Sequence, residues 1–192
     1  VVNQTRGVDK AACTHPPAVP LAQLGRLVLL IDNDPQSSLT QGIWGPVVAR
    51  QVDPAATIAA IYAGDLPYPE QVVHPTGIAG IDLIPGSRRS TSHNVPDPHL
   101  AGQEIQECIR AFLEDVRGRY DLVMIDCPPN LHLCSWAALV ASDHLVVPLQ
   151  PQDHAPPARL RLSDSCTPRA ACPNPAPTPP SSRVPPTPPR PA

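Results

Sequence analysis

The sequence predicts an α/β domain built around a mainly parallel sheet. Three observations point there. Short apolar runs without polar alternation recur at residues 27–31, 81–84, 122–125 and 145–147, as in strands buried on both faces. Stretches of helical periodicity lie between them. Two of the runs end alike, in aspartate, at Asp32 and Asp126. Strands that alternate with helices imply parallel pairing through crossovers.

Taken in order, Val1 and Val2 are all that could begin a first strand. The segment 14–20 (THPPAVP) then places three prolines where a following helix would run, and each is costly inside one. The run 27–31 leads into Asp32 and Asp34. Asp53 followed by Pro54 reads as an N-cap with proline at N1. Ile58, Ile61 and Tyr62 continue that helix and Gly64 closes it. Strand 81–84 stops at Pro85-Gly86, and the polar stretch 87–99 reads as a loop. Ile105, Cys108, Ile109, Phe112, Leu113 and Val116 form one apolar helical stripe that ends near Gly118. Strand 122–125 reaches Asp126. Residues 131–140, apolar nearly all round, read as a buried helix, and 145–147 as a last strand ending at Pro148.

Composition divides the chain. Of its 192 residues, 42% are apolar and 3% aromatic, so aliphatic side chains must fill the core. Residues 151–192 hold 14 of the 29 prolines. From Cys166 onward there is little to bury, which predicts a disordered or polyproline II tail over 153–192. The net charge of −3 gives no compositional argument for nucleic-acid binding. No apolar run reaches the length of a membrane helix, and no signal peptide is visible. The six cysteines contain no CxxC. Cys127 and Cys134, with His132 between, make a poor zinc pattern; reduced cysteines acting as small hydrophobes are the simpler reading, and they point to the cytoplasm.

Carboxylates at the carboxyl ends of parallel strands face the ligand crevice. Asp32, Asp34 and Asp126 are therefore candidates to hold Mg²⁺ and orient a water. The alternative for any one of them is a cap on the next turn. Near the N-terminus, Gly7 and Lys10 have the residue types of a phosphate-binding loop, but not its full pattern.

The blocks Val-Asn-Gln at 2–4, VLLIDNDPQSSLT at 28–40, YDLVMIDCPPNL at 120–131 and ALVASDHLVVPLQPQ at 138–152 together resemble the ParA/Soj partition ATPases, deviant-Walker P-loop NTPases related to MinD. The resemblance covers about residues 1–152. It implies a three-layer P-loop NTPase-like domain, incomplete at both ends. It also implies ATP with Mg²⁺ at a sandwich interface between two copies. Asp32 and Asp126 would serve the metal through water, Asp34 would position the attacking water, and Lys10 would neutralise phosphate charge. Gly7, Val8, Lys10 and Ala11 would form the phosphate loop, and Asp32 and Pro128 would also border the nucleotide. Implied partners are a ParB-type centromere-binding protein and non-specific DNA, with a cytoplasmic, nucleoid-associated location and no membrane. For DNA the basic candidates are Arg88, Arg89, Arg117 and Arg119, whose simpler reading is solvated surface charge.

The chain departs from the family loop K-G-G-x-G-K-T-T, reading Thr5-Arg6-Gly7-Val8-Asp9-Lys10-Ala11-Ala12. Arg6 and Asp9 bring side chains where backbone should meet phosphate, and Ala11 removes a metal ligand. Residues 5–20 and 153–192 both lose family character abruptly, and Lys10 is the sole lysine against 13 arginines. Reading-frame errors in GC-rich DNA would give this pattern, and a restored frame should recover the loop. Catalysis is accordingly left open. The alternative is a non-hydrolysing remnant or binding module of the same family; a more remote one is an Asp-cluster protein of the receiver or phosphatase type.

Overall fold

A computed structural model describes residues 18–147. Among these residues four strands form one sheet: β1 (Val28–Asp32), β2 (His74–Pro75), β3 (Ile81–Ile84) and β4 (Leu122–Asp126), in the order β2-β3-β1-β4; the first strand expected from Val1 and Val2 lies outside them. β1 pairs in parallel with both β3 and β4, and the two-residue β2 pairs antiparallel with β3. The helices are α1 (residues 18–23), α2 (Ser38–Trp44), α3 (Pro46–Gln51), α4 (Ile58–Tyr62), α5 (Pro69–Val72), α6 (Gln103–Gln106), α7 (Cys108–Val116) and α8 (Leu133–Ala141).

The alternation of side chains along each strand sorts the core into two layers. Leu29 and Ile31 of β1 join Ile84, Ile125, Tyr62, Ile109, Phe112 and Cys134 on one face. Val28 and Leu30 join Leu83, Ile81, Leu39 and Ala18 on the other. Helices therefore cover both faces, the three-layer α/β arrangement expected. All five residues of β1 are buried, which is why its run shows no polar alternation. Each such aliphatic side chain contributes about 1.5–3 kcal/mol by leaving water.

Several elements differ from expectation. Residues 145–147 are not a strand, and Leu145 and Val146 are exposed. An apolar triplet becomes a strand only with a ladder partner, and no described strand pairs with it. The helix expected to run unbroken through 105–116 is interrupted at Glu107, with φ −102° and ψ 1°. Beside the break, the Gln106 amide donates to the Ala101 carbonyl (2.8 Å) and accepts from the Trp136 indole N–H (2.9 Å). Asp53 caps a short 3₁₀ turn, Pro54–Ala56, rather than the helix itself. Thr57 starts α4 instead: its hydroxyl donates to the Pro54 carbonyl and accepts from the Ala59 N–H, a local alternative to continuing the helix. Pro20 lies within helical α1, so the break expected over 14–20 does not extend through its last residue. The stretch 87–99 contains the 3₁₀ turn Arg88–Ser92 and the start of a second, Pro98–Leu100. No described helix is long and apolar enough to cross a membrane. Cys108, Cys127 and Cys134 are free thiols, and among the described residues no cluster of three potential ligands could cage a metal.

Candidate functional site

The site forms where β1 and β4 end together. The parallel register places Asp32 directly beside Asp126. One residue on, the Asn33 N–H donates to the Asp126 carbonyl (2.8 Å), extending the pairing into the turn. Both aspartates are buried, Asp32 at 0% exposure and Asp126 at 2%.

Asp32 is held from several sides. Its Oδ2 accepts from the Thr40 backbone N–H (2.8 Å) and from the Thr40 hydroxyl (2.6 Å). Its Oδ1 accepts from the Asp34 N–H at 3.3 Å. The Thr40 hydroxyl in turn accepts from the Gly86 N–H (2.8 Å), so β1, α2 and the turn after β3 share one bond chain. Gly86 has no alternative here. A Cβ at that position would lie 2.7 Å from Asp32 Cγ and 2.9 Å from Ser37 Oγ.

The turn carrying Asp34 folds on itself. Asp34 Oδ1 accepts from the Gln36 N–H (2.9 Å), and its carbonyl accepts from the Ser37 N–H (2.8 Å). Ser37 takes the left-handed conformation, φ 56°, uncommon for a residue with a side chain. Behind the turn, buried Asn33 donates to the Cys134 carbonyl (2.7 Å) and accepts from the Tyr62 hydroxyl (2.9 Å). Asn33 thus ties the turn to α4 and α8. Tyr62→Phe should therefore lower stability by about 1–3 kcal/mol, because it leaves a buried Asn33 oxygen without its donor. Chemical denaturation of the variant would check this, and an unchanged midpoint would count against it.

Burial pushes the Asp32 carboxyl up from 3.8 to about 7. The Thr40 bonds oppose the rise, and the charges of Asp126 and Asp34 add to it. Two adjacent buried carboxylates, one of them Asp32 with its raised pKa, suit a nearby cation. Both Asp32 oxygens already accept protein hydrogen bonds, so Asp32 fits a metal's bound water better than the metal itself. Mg²⁺ keeps several waters and commonly relies on one or two carboxylates plus phosphate oxygens. The donor set fits such a water-mediated role.

Of the residues singled out in the sequence, the fold brings Asp32, Asp34 and Asp126 together. Pro128 is buried in the turn after β4, its carbonyl 3.4 Å from the Ser135 hydroxyl. Gly7, Val8, Lys10 and Ala11 lie outside the described residues. Sequence reasoning gave no role to Thr40, Asn33 or Gly86. Thr40 lies eight residues after Asp32, in the first turn of α2, and nothing in the sequence alone pairs the two.

Comparison with known proteins agrees with this geometry. A family model described as an AAA domain matches residues 1–158. The sporulation initiation inhibitor protein Soj of Bacillus subtilis is 30% identical over 155 residues, 81% of this chain and 58% of Soj. The chromosome partitioning protein ParA of Myxococcus xanthus is 32% identical over 156 residues, 81% of this chain and 52% of ParA. The chain thus spans just over half the length of these curated relatives. Among solved structures, cobyrinic acid a,c-diamide synthase from Mycobacterium smegmatis, with a bound ATP analogue and magnesium, superposes with a TM-score of 0.66 at 28% identity. That match covers 77% of this chain and 58% of the synthase. The chain belongs to the AAA domain family of P-loop proteins that takes in the Soj and ParA partition ATPases.

Proposed function

We propose that this protein is a ParA-type partition protein that binds ATP and Mg²⁺ between two copies of the chain. One observation carries the reading: Asp32 and Asp126 lie in register, buried, at the carboxyl ends of adjacent parallel strands, where α/β sheets take their ligands. Asp126 and Asp32 hold the metal's waters, with Thr40 fixing the orientation of Asp32. Asp34, on the partly open turn, orients the attacking water. Lys10 offsets phosphate charge within a loop that includes Gly7, Val8 and Ala11, and Pro128 borders the nucleotide. When bound, Mg²⁺ supplies charge neutralisation on the phosphate oxygens. Residues 1–152 are the nucleotide-binding part and 153–192 a Pro-rich tail. Chromosome or plasmid segregation in the cytoplasm, on nucleoid DNA and with a ParB-type partner, follows from the kinship to Soj and ParA.

A second reading rests on the loop itself. Thr5, Arg6, Asp9 and Ala11 replace the residues that contact phosphate and metal in the family pattern, which favours a member that does not hydrolyse ATP. Titration with a fluorescent ATP analogue and Mg²⁺ separates the two. We expect binding by the full chain that falls at least about tenfold in Asp126→Ala, the loss of one charge-assisted contact set. Binding only after Thr5→Lys, Arg6→Gly, Asp9→Gly and Ala11→Thr would establish the second reading instead. No binding by either chain would remove the nucleotide from the account.

A further inference from the structure

A second polar feature lies beyond the carboxylate pair. The turn after β1, helices α2 and α3 and the turn after β3 enclose a cleft of about 210 Å³, with Gln36, Ser37, Gln41, Arg50, Arg88 and Arg89 on its walls. Seven arginines occur between residues 18 and 147. Three have carboxylate partners: Arg26 with Asp121, Arg117 with Glu114 and Arg119 with Glu70, at 2.8–3.1 Å. Of the four without one among the described residues, all but Arg110 line this cleft. No Asp or Glu lines it. Neighbouring Asp53 accepts from the Ala55 N–H (3.0 Å) and is not among the lining residues. The Ser37 hydroxyl, on a residue only 7% exposed, has no hydrogen-bond partner among the described residues.

Three guanidiniums around one hollow repel each other, and none of them is in an ion pair among the described residues. A ligand carrying two negative charges on several oxygens would. Guanidinium forks pair with the oxygens of a phosphate group, and several can share one phosphate. The volume is below the 300–1,000 Å³ typical of sites for drug-sized molecules, so the ligand is small.

We propose that this cleft, which adjoins Asp32 through Gly86 and Ser37, is an anion site that binds the phosphate group of a small phosphate monoester through Arg50, Arg88 and Arg89. The full chain, without Mg²⁺ or nucleotide, would be titrated by calorimetry with inorganic phosphate and with glycerol 2-phosphate. Both are expected to bind saturably. Arg50→Gln and the double variant Arg88→Gln, Arg89→Gln should each weaken binding on the order of tenfold or more, while Arg110→Gln leaves it unchanged. The three cleft arginines are exposed, so the variants should keep the parent melting temperature. Phosphate should raise that temperature for the parent and not for the variants.

Absence of saturable binding would overturn the proposal. So would an equal loss in Arg110→Gln, which would mean diffuse charge, or a loss in Lys10→Ala alone, which would put the phosphate at the N-terminal loop. A short DNA duplex that displaces glycerol 2-phosphate from the parent, at equal total phosphate and with far higher affinity, would show a nucleic-acid surface instead and overturn the small-ligand assignment.

Discussion

Gly86→Ala is expected to destabilise the protein by about 1–3 kcal/mol, the usual cost of forcing extra atoms into a filled site. The added methyl would stand 2.7 Å from Asp32 Cγ and 2.9 Å from both Asp32 Oδ2 and Ser37 Oγ. None of these can retreat freely. Asp32 is fixed by Thr40, and Ser37 sits in a tight turn with positive φ. Any shift also stretches the bond from the Gly86 N–H to the Thr40 hydroxyl. Gly42→Ala is the control. Its Cβ would meet nothing within 4 Å and it lies inside α2, so the variant should be neutral or stabilise by up to about 1 kcal/mol. Urea midpoints at constant m would measure both. Equal effects at the two glycines would mean that the close approach to Asp32 does not matter.

The second large effect is a pH dependence at Asp32. Its folded-state pKa of about 7 lies above the ordinary 3.8, so between about pH 4 and 7 the folded state keeps a proton that the unfolded state has lost. Stability from this group is therefore full below pH 4 and declines as pH rises through 7. The rise of about three pKa units corresponds to roughly 4 kcal/mol across that window. Asp32→Asn cannot ionise and retains an oxygen for Thr40, so it should flatten the decline and exceed the parent in stability above pH 7. Asp121 and Glu70 work the other way, held below the usual carboxylate range by the backbone N–H of Leu27 and by Arg119 respectively. Only the difference between parent and variant isolates Asp32. A difference that stays constant from pH 4 to 8 would show that the buried carboxyl is not protonated in the folded chain. The same variant gains stability at the proposed metal site's expense, so it should bind Mg²⁺ and nucleotide more weakly than the parent.

Much of the sheet was legible in its apolar runs, although only β1 is buried throughout and β4 is buried at its end, at Ile125 and Asp126. The runs ending at Asp32 and Asp126 needed no alternation to be recognised, and their shared ending already placed two carboxylates at one edge of the sheet. The run at 145–147 had the same appearance but lacks a described partner, and pairing is a property of two segments rather than one. The break at Glu107 was invisible for a related reason: Gln106 is engaged by Trp136, thirty positions away. Thr40 and Gly86 escaped because their importance lies in what they touch. A threonine in the first turn of a helix and a glycine after a proline have ordinary local explanations, and only the three-dimensional arrangement brings both against Asp32.

The outer strand β2 has a consequence for association. It is two residues long, and Pro75 offers no N–H to a neighbour. A sheet that ends in this way gives an incoming strand almost no ladder to extend, which is how natural proteins protect exposed edges from aggregation. Copies of this chain that meet at the β2 end must do so through side chains of helices and loops. Continuous backbone pairing, the route to fibrils and exchanged strands, is closed to them there.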